Sequence, residues 1–217
     1  MNGFPKSATA VLEPSSGLAA LVEVLGESGY AVVGPVARDG VISYDTVHDG
    51  ADLPTGVRTE QSPGRFRLTT DGGPTRFGWI PAADSWRRWF FPPEEELLRI
   101  RRTDGSFVVT HPAPPAQPLA LIGARDCEVR GLAVLDRVLL EGEHPDPRFA
   151  ARREGAFIVA VTCGEPADTC WCTSAGGGPR PAAGFDIRLT EVTGGAHRLV
   201  AEAGTTRGAD VLAAVAE

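Results

Sequence analysis

Two short apolar runs in the middle of the chain, Pro118-Leu119-Ala120-Leu121-Ile122 and Ala156 to Val161, constrain the fold more than any other feature. Each is one strand long and apolar throughout, the pattern of strands buried on both faces of a sheet. Between them, Leu132, Leu135, Val138 and Leu139 recur at helical spacing up to Gly142. A strand, a helix and a second strand of this kind predict a parallel pair joined by a right-handed crossover, with both carboxyl ends opening on one edge of the sheet.

All four cysteines of the chain belong to that edge. Asp126-Cys127 follows the first strand at the mouth of the helix, and Cys163 follows the second strand directly, with 35 residues between the two cysteines. The loop Cys163-Gly-Glu-Pro-Ala-Asp-Thr-Cys170-Trp171-Cys172 then folds two more thiols back to the same place. At a helix N-terminus, unpaired amides and the positive end of the dipole are expected to favour Cys127 as a thiolate.

The remainder reads as follows. Residues 1–12 are expected to be a loose leader, and Ser15 or Ser16 to cap a helix over Gly17 to Glu27 with Leu18, Leu21, Val22 and Leu25 on its buried face. Residues 1–29 thus precede one mixed α/β domain over 30–217, hairpin-rich over 30–110, cysteine-bearing over 118–192 and ending in a hairpin and helix over 184–217. Asp39-Gly40 predicts a tight hairpin between Ala31–Val36 and Val41–Tyr44. Residues 45–64 read as an extended surface loop, and Asp71-Gly72-Gly73-Pro74 as the turn of a hairpin between Arg65–Thr69 and Thr75–Trp79. Trp86-Arg87-Arg88-Trp89-Phe90-Phe91 reads as a Ser-capped turn whose aromatics anchor one layer on another or, if exposed, as a docking surface. Glu94 to Glu96 with Arg99, Arg101 and Arg102 suggest an ion-paired, solvated helix face. Phe107–Thr110 is a strand, His111–Gln117 a rigid connector, and Asp146–Glu154 a short polar helix. Gly176-Gly177-Gly178-Pro179 is a close-approach turn, followed by a hairpin of Phe185–Val192 with Arg198–Ala203 and an Ala-rich helix over 207–216. The fold class is therefore α/β, a mixed sheet with N-terminal β-hairpins followed by a parallel strand-helix-strand unit that carries the cysteines.

A net charge of −7 argues against a nucleic-acid surface, which needs clustered Lys and Arg. No run reaches the roughly 18 apolar residues of a membrane span, and the N-terminus lacks a signal peptide's pattern, so a cytoplasmic location is expected. In a reducing compartment four thiols point to metal or redox use more than to disulfides. Structural zinc sites favour two Cys-X2-4-Cys knuckles, and here one short pair exists with a single residue between. A 4Fe-4S cluster accepts thiolates from separated loops. The spacing thus favours a cluster on Cys127, Cys163, Cys170 and Cys172, with Trp171 shielding it; zinc is the alternative, and buried structural cysteines are the third reading. His48, His111, His144 and His197 are scattered, with no ligand spacing among them.

Gly123-Ala-Arg-Asp-Cys127, Leu135-Asp-Arg-Val-Leu, His144-Pro-Asp-Pro, Cys163-Gly-Glu-Pro, Thr169-Cys-Trp-Cys-Thr-Ser174, Gly178-Pro179 and Gly184-Phe-Asp-Ile together resemble the iron-sulfur beta subunit of cytoplasmic sulfhydrogenase-type nickel-iron hydrogenases. They are similar as well to the A subunit of anaerobic sulfite reductase. Upstream, Gly34-Pro-Val, Tyr44-Asp, Leu53-Pro, Pro63-Gly-Arg-Phe-Arg and Trp86 to Pro93 extend the resemblance over most of 30–192. The resemblance implies an electron-transfer subunit, not catalytic alone, relaying electrons between a flavin-bearing partner and a catalytic subunit through a cluster on the four cysteines. Family members carry a two-cluster ferredoxin module after this domain, so the present sequence corresponds to the part that precedes it. The family's Ser-Met-Gly-Thr-Gly-Pro is Ser174-Ala-Gly-Gly-Gly-Pro179 here, with the cysteines in place.

Overall fold

The computed structural model describes residues 8–80, 84–113 and 117–216. The leader expected over 1–12 lies outside the described residues for 1–7, but Thr9–Leu12 is a strand, β1, paired antiparallel with Arg198–Ala203. Helix α1, Pro14–Glu27, follows at once. Its cap is Glu13 rather than a serine: the Glu13 carboxylate accepts the amides of Ser15 and Ser16 at 2.8 and 2.7 Å, with Pro14 in the first turn. Leu18, Leu21, Val22 and Leu25 are buried as the spacing predicts, each such burial being worth about 1.5–3 kcal/mol.

β2 (Ala31–Arg38) and β3 (Val41–Thr46) form the expected hairpin, with Asp39 and Gly40 at φ 51° and 74° in its turn. The expected loop over 45–64 is partly a strand. β4 (Val57–Ser62) pairs with β5 (Arg65–Thr70), and Pro63-Gly64, read from the sequence as a break, is their two-residue turn. Thr75–Trp79 therefore does not pair with Arg65–Thr69. It is held instead by a carboxylate, Glu191 accepting the amides of Arg76 and Phe77 at 2.7 and 2.9 Å.

Trp86 leads into α2, Arg87–Phe90, and Trp86 and Phe90 are fully buried. Trp86 and Phe90 thus anchor layers, the Trp86 ring stacking on Tyr44 at 3.9 Å, while Trp89 is half-buried and Phe91 exposed, so the cluster does not form the single exposed patch of a docking surface. The acidic-basic stretch after it is not a helix face. Arg99–Thr103 is β6, paired antiparallel with β7, Ser106–Thr110, because Asp104-Gly105 turns the chain as Asp39-Gly40 does. Glu96 pairs with Arg99, whereas Glu95 reaches Arg148 and Arg152. Of the connector expected over His111–Gln117, 114–116 lie outside the described residues.

The second half follows the expected order: β8 (Leu119–Ala124), α3 (Asp126–Leu139), α4 (Pro147–Glu154, capped by Asp146), β9 (Phe157–Val161), β10 (Ile187–Val192), β11 (Arg198–Ala203) and α5 (Thr206–Val215). The main sheet has seven strands in the order β1-β11-β10-β9-β8-β2-β3. Its central strands β2, β8, β9 and β10 are parallel, and both flanks are antiparallel. The fold is thus mixed α/β, with hairpins before the parallel unit. Every residue of β9 is buried, and β8 is buried from Ala120 onward. This is what continuous apolar runs require. At Gly123 the β8–β9 register slips by one residue, just before the chain leaves the sheet edge toward Cys127.

Candidate metal centre at the sheet edge

β8 and β9 are adjacent and parallel, so Arg125-Asp126-Cys127 and Thr162-Cys163 emerge side by side. The Cys163 amide donates to the Pro179 carbonyl at 2.8 Å, closing the base of the loop that carries Cys170 and Cys172. Within the loop, Ala167 donates its amide to the Cys170 sulfur at 3.3 Å, and Gly177 to the Cys172 carbonyl at 2.8 Å. All four cysteines are free thiols.

The loop is tied to α3 by a carboxylate. Asp126, buried, accepts from the Gly178 amide at 3.1 Å and from Arg130 Nε at 2.9 Å, and Arg130 Nη2 donates to the Gly176 carbonyl at 2.6 Å. A Cβ on Gly177 would lie 2.6 Å from Asp126 Oδ2 and 3.1 Å from the Cys172 carbonyl oxygen. Here the close approach read from the glycine run has its physical cause. On its other side the loop meets the β4–β5 hairpin: Arg58 pairs with Glu165, and Thr169 Oγ1 bonds Gln61 Oε1 at 3.2 Å.

Electrostatics link the thiols to one another. Loss of water around the sulfur pushes Cys127 up to about 11, with Glu128, Cys172 and Cys163 adding to the effect. The expected thiolate at the helix N-terminus is thus not favoured while the sulfurs carry no cation, because desolvation and neighbouring negative charge outweigh the dipole. Burial also raises Cys163, with Cys170 and Cys172 contributing, while Arg125 opposes the shift. Cys127 and Cys163 therefore each feel two of the other thiols.

Two residues of this environment, Arg125 and Glu128, carry no spacing signal in the sequence. Arg125 is only 4% exposed; its Nη2 donates to the Phe77 and Trp79 carbonyls, both at 2.8 Å, and its guanidinium lies over the Trp79 ring. Its Nε and Nη1 have no partner among the described residues. Glu128 accepts from Tyr44 Oη at 2.8 Å and from the Arg125 amide at 2.9 Å, and burial raises its carboxyl. The available hint was a charged pair, Arg125-Asp126, directly after a buried strand, where charge needs a specific partner.

Between the outer face of α3 and the loop lies a cavity of about 590 Å³ lined by Cys127, Cys170, Cys172, Trp171, Val134, Arg130 and Arg137 among others. Trp171 is 72% exposed, so it walls one side of this cavity and does not by itself cover the thiols. Among the described residues, no three of His, Cys, Asp and Glu converge closely enough to surround a single metal ion.

The chain is 32% identical over 116 residues to the sulfhydrogenase 2 beta subunit of Pyrococcus furiosus. The match takes in 50% of this chain and 30% of that protein, so the chain covers under a third of its relative. It is therefore related, over half its length, to a beta-type subunit of a multisubunit hydrogenase. No family model and no solved structure matches the chain. No helix among the described residues is long and apolar enough to cross a membrane.

The donor chemistry suits an iron-sulfur cluster. Four thiols from three separate segments share one edge, and a buried guanidinium with unpartnered N–H groups stands close enough to act on Cys163. Bound iron would supply the positive charge that the raised thiols lack, and a cluster is wide enough to draw on separated ligands.

Proposed function

We propose that this chain is an electron-transfer component of a multisubunit redox enzyme of the hydrogenase or sulfite-reductase type. In this reading Cys127, Cys163, Cys170 and Cys172 hold one iron-sulfur cluster, most simply 4Fe-4S, and pass electrons between a flavin-bearing subunit and a catalytic subunit in the cytoplasm. The observation that carries the reading is the gathering of every thiol of the chain at one edge of a parallel sheet, with Cys127 and Cys163 each within electrostatic reach of two others. The partial likeness to a sulfhydrogenase beta subunit supports it independently.

The cluster, when bound, supplies one-electron chemistry. The chain's own residues do the rest. Asp126 and Arg130 hold the loop against α3, and Arg125 places a fixed positive charge beside Cys163, which favours an anionic sulfur there. Anaerobic purification with iron and acid-labile sulfide analysis tests the proposal. Iron and sulfide in the roughly 4:4 ratio per chain of one cube, lost or converted in Cys127→Ser and Cys172→Ser, is the expected result. Zinc without sulfide would replace it with a zinc-stabilised assembly domain.

A further inference from the structure

The β6–β7 ribbon buries neither of its faces among the described residues. Every residue of Arg99–Thr103 and Ser106–Thr110 is exposed. Directly paired residues share a face, so the register Ile100↔Val109 and Arg102↔Phe107 puts Ile100, Arg102, Phe107 and Val109 together. Ile100 is 59% exposed, Phe107 69% and Val109 51%, and Leu97 and Leu98 at the ribbon's base are exposed too. A lone two-stranded hairpin is at best marginally stable in water, and a contiguous exposed apolar face marks an interaction site.

The stem, by contrast, is firmly held. Arg148 of α4 bonds Glu95, which precedes β6, at 2.6 Å and the carbonyl of Pro112, which follows β7, at 2.8 Å. Arg152 pairs with the same carboxylate. All three side chains are largely buried. One arginine thus clamps both ends of an arm whose residues are all exposed.

Charge narrows what the arm meets. The chain is acidic overall, yet the ribbon carries Arg99, Arg101 and Arg102 against Asp104 alone. Arg99 is matched by Glu96, while Arg101 and Arg102 make no ion pair among the described residues. Two ribbons meeting on their apolar faces would bring two unpaired Arg102 guanidinium groups into one small interface, and a head-to-tail contact between copies leads to open chains unless it closes into a ring. Resting on the reading above as one part of a complex, we propose that the β6–β7 ribbon is a docking arm for a different protein chain, whose surface offers an apolar strip bordered by carboxylates.

The test places a photoreactive p-benzoylphenylalanine at Phe107 of the tagged full chain in its own cells, beside Ile100→Ser/Phe107→Ser and Arg101→Glu/Arg102→Glu. The crosslink is expected on one co-purifying chain, at an apolar segment flanked by Asp or Glu. Both double variants should retain that chain at least about tenfold less, since each 1.4 kcal/mol of contact is tenfold in affinity, with iron and sulfide per chain unchanged. A crosslink to a second copy of this chain, no crosslink at all, or undiminished retention in both variants overturns the docking arm. Chains without iron or sulfide that still crosslink through position 107 would sink the electron-transfer reading and leave the arm standing. Iron-loaded chains with undiminished retention would do the reverse.

Discussion

Asp126 and Gly178, 52 positions apart in the chain, are joined by a 3.1 Å hydrogen bond from the glycine amide to the carboxylate. The bond fixes the cysteine loop to the helix that carries Cys127, and it works only because Gly177 has no side chain. A Cβ there would sit 2.6 Å from Asp126 Oδ2, while one on Gly178 would meet nothing within 4 Å. Gly177→Ala is therefore expected to cost about 1–3 kcal/mol, as overpacking does, and Gly178→Ala less than about 0.5 kcal/mol. Urea midpoints of the two variants, measured side by side, check this. Equal midpoints would mean that the loop relaxes away from Asp126 without cost.

Arg125 gives a second expectation. Its Nη2 is the donor to two buried carbonyls, those of Phe77 and Trp79. Arg125→Met would leave both acceptors unsatisfied at about 1–3 kcal/mol each, and would remove the charge that lowers Cys163. A loss of at least about 2 kcal/mol in urea unfolding is expected, with Cys163 alkylating more slowly at neutral pH in metal-free protein. A variant as stable as the parent would show that water replaces the guanidinium.

The parallel unit was legible because its physics is local: Leu119–Ile122 and Phe157–Val161 are apolar without alternation, and only a strand covered on both faces needs that. Convergence of Cys127 and Cys163 followed from topology alone. The hairpins were harder, since Ser-Pro-Gly is compatible with a break or a turn until a partner strand is known. Here Val57–Ser62 was the partner. Thr75–Trp79 was misread because a distant carboxylate, Glu191, satisfies its amides, and sequence periodicity does not see such a partner. The thiol of Cys127 was misjudged for a related reason. The helix dipole is a local property of Asp126–Leu139, but desolvation and Glu128 depend on what else packs at the edge.

That last point is measurable. Cys127 is pushed up to about 11 in the metal-free fold, above the range of a free thiol. The fold thus favours the protonated form. The stability this contributes is complete below the unfolded value and is lost as pH rises through the folded one, between about pH 9 and 11. Because the thiolate is the nucleophile, peptide-resolved alkylation of Cys127 should still be rising above pH 9. Glu128→Gln should move the profile to lower pH, since Glu128 is the second cause after desolvation. A midpoint near that of a free cysteine would show that water reaches the sulfur.

Metal removal should act on the loop and spare the sheet. β8 and β9 are held by buried apolar contacts and ladder hydrogen bonds that do not involve the thiols. Glu165 to Ala175 is mostly exposed and has few anchors: the Arg58–Glu165 pair, the Thr169–Gln61 bond and short turns of its own backbone. Surface ion pairs of this kind contribute little, about 0–1 kcal/mol, against an ordering cost of roughly 1–2 kcal/mol per residue. Ligand assembly and loop ordering then share one free energy. Amide exchange across Glu165 to Ala175 is therefore expected to accelerate on metal removal, while Gly177 and Gly178, whose amides are bonded to the Cys172 carbonyl and to Asp126, lose less protection. The measurement is hydrogen exchange on metal-loaded and metal-free protein, read peptide by peptide. Unchanged exchange throughout the loop would show that the protein orders it unaided, and that the cysteines are passengers on a structure they do not organise.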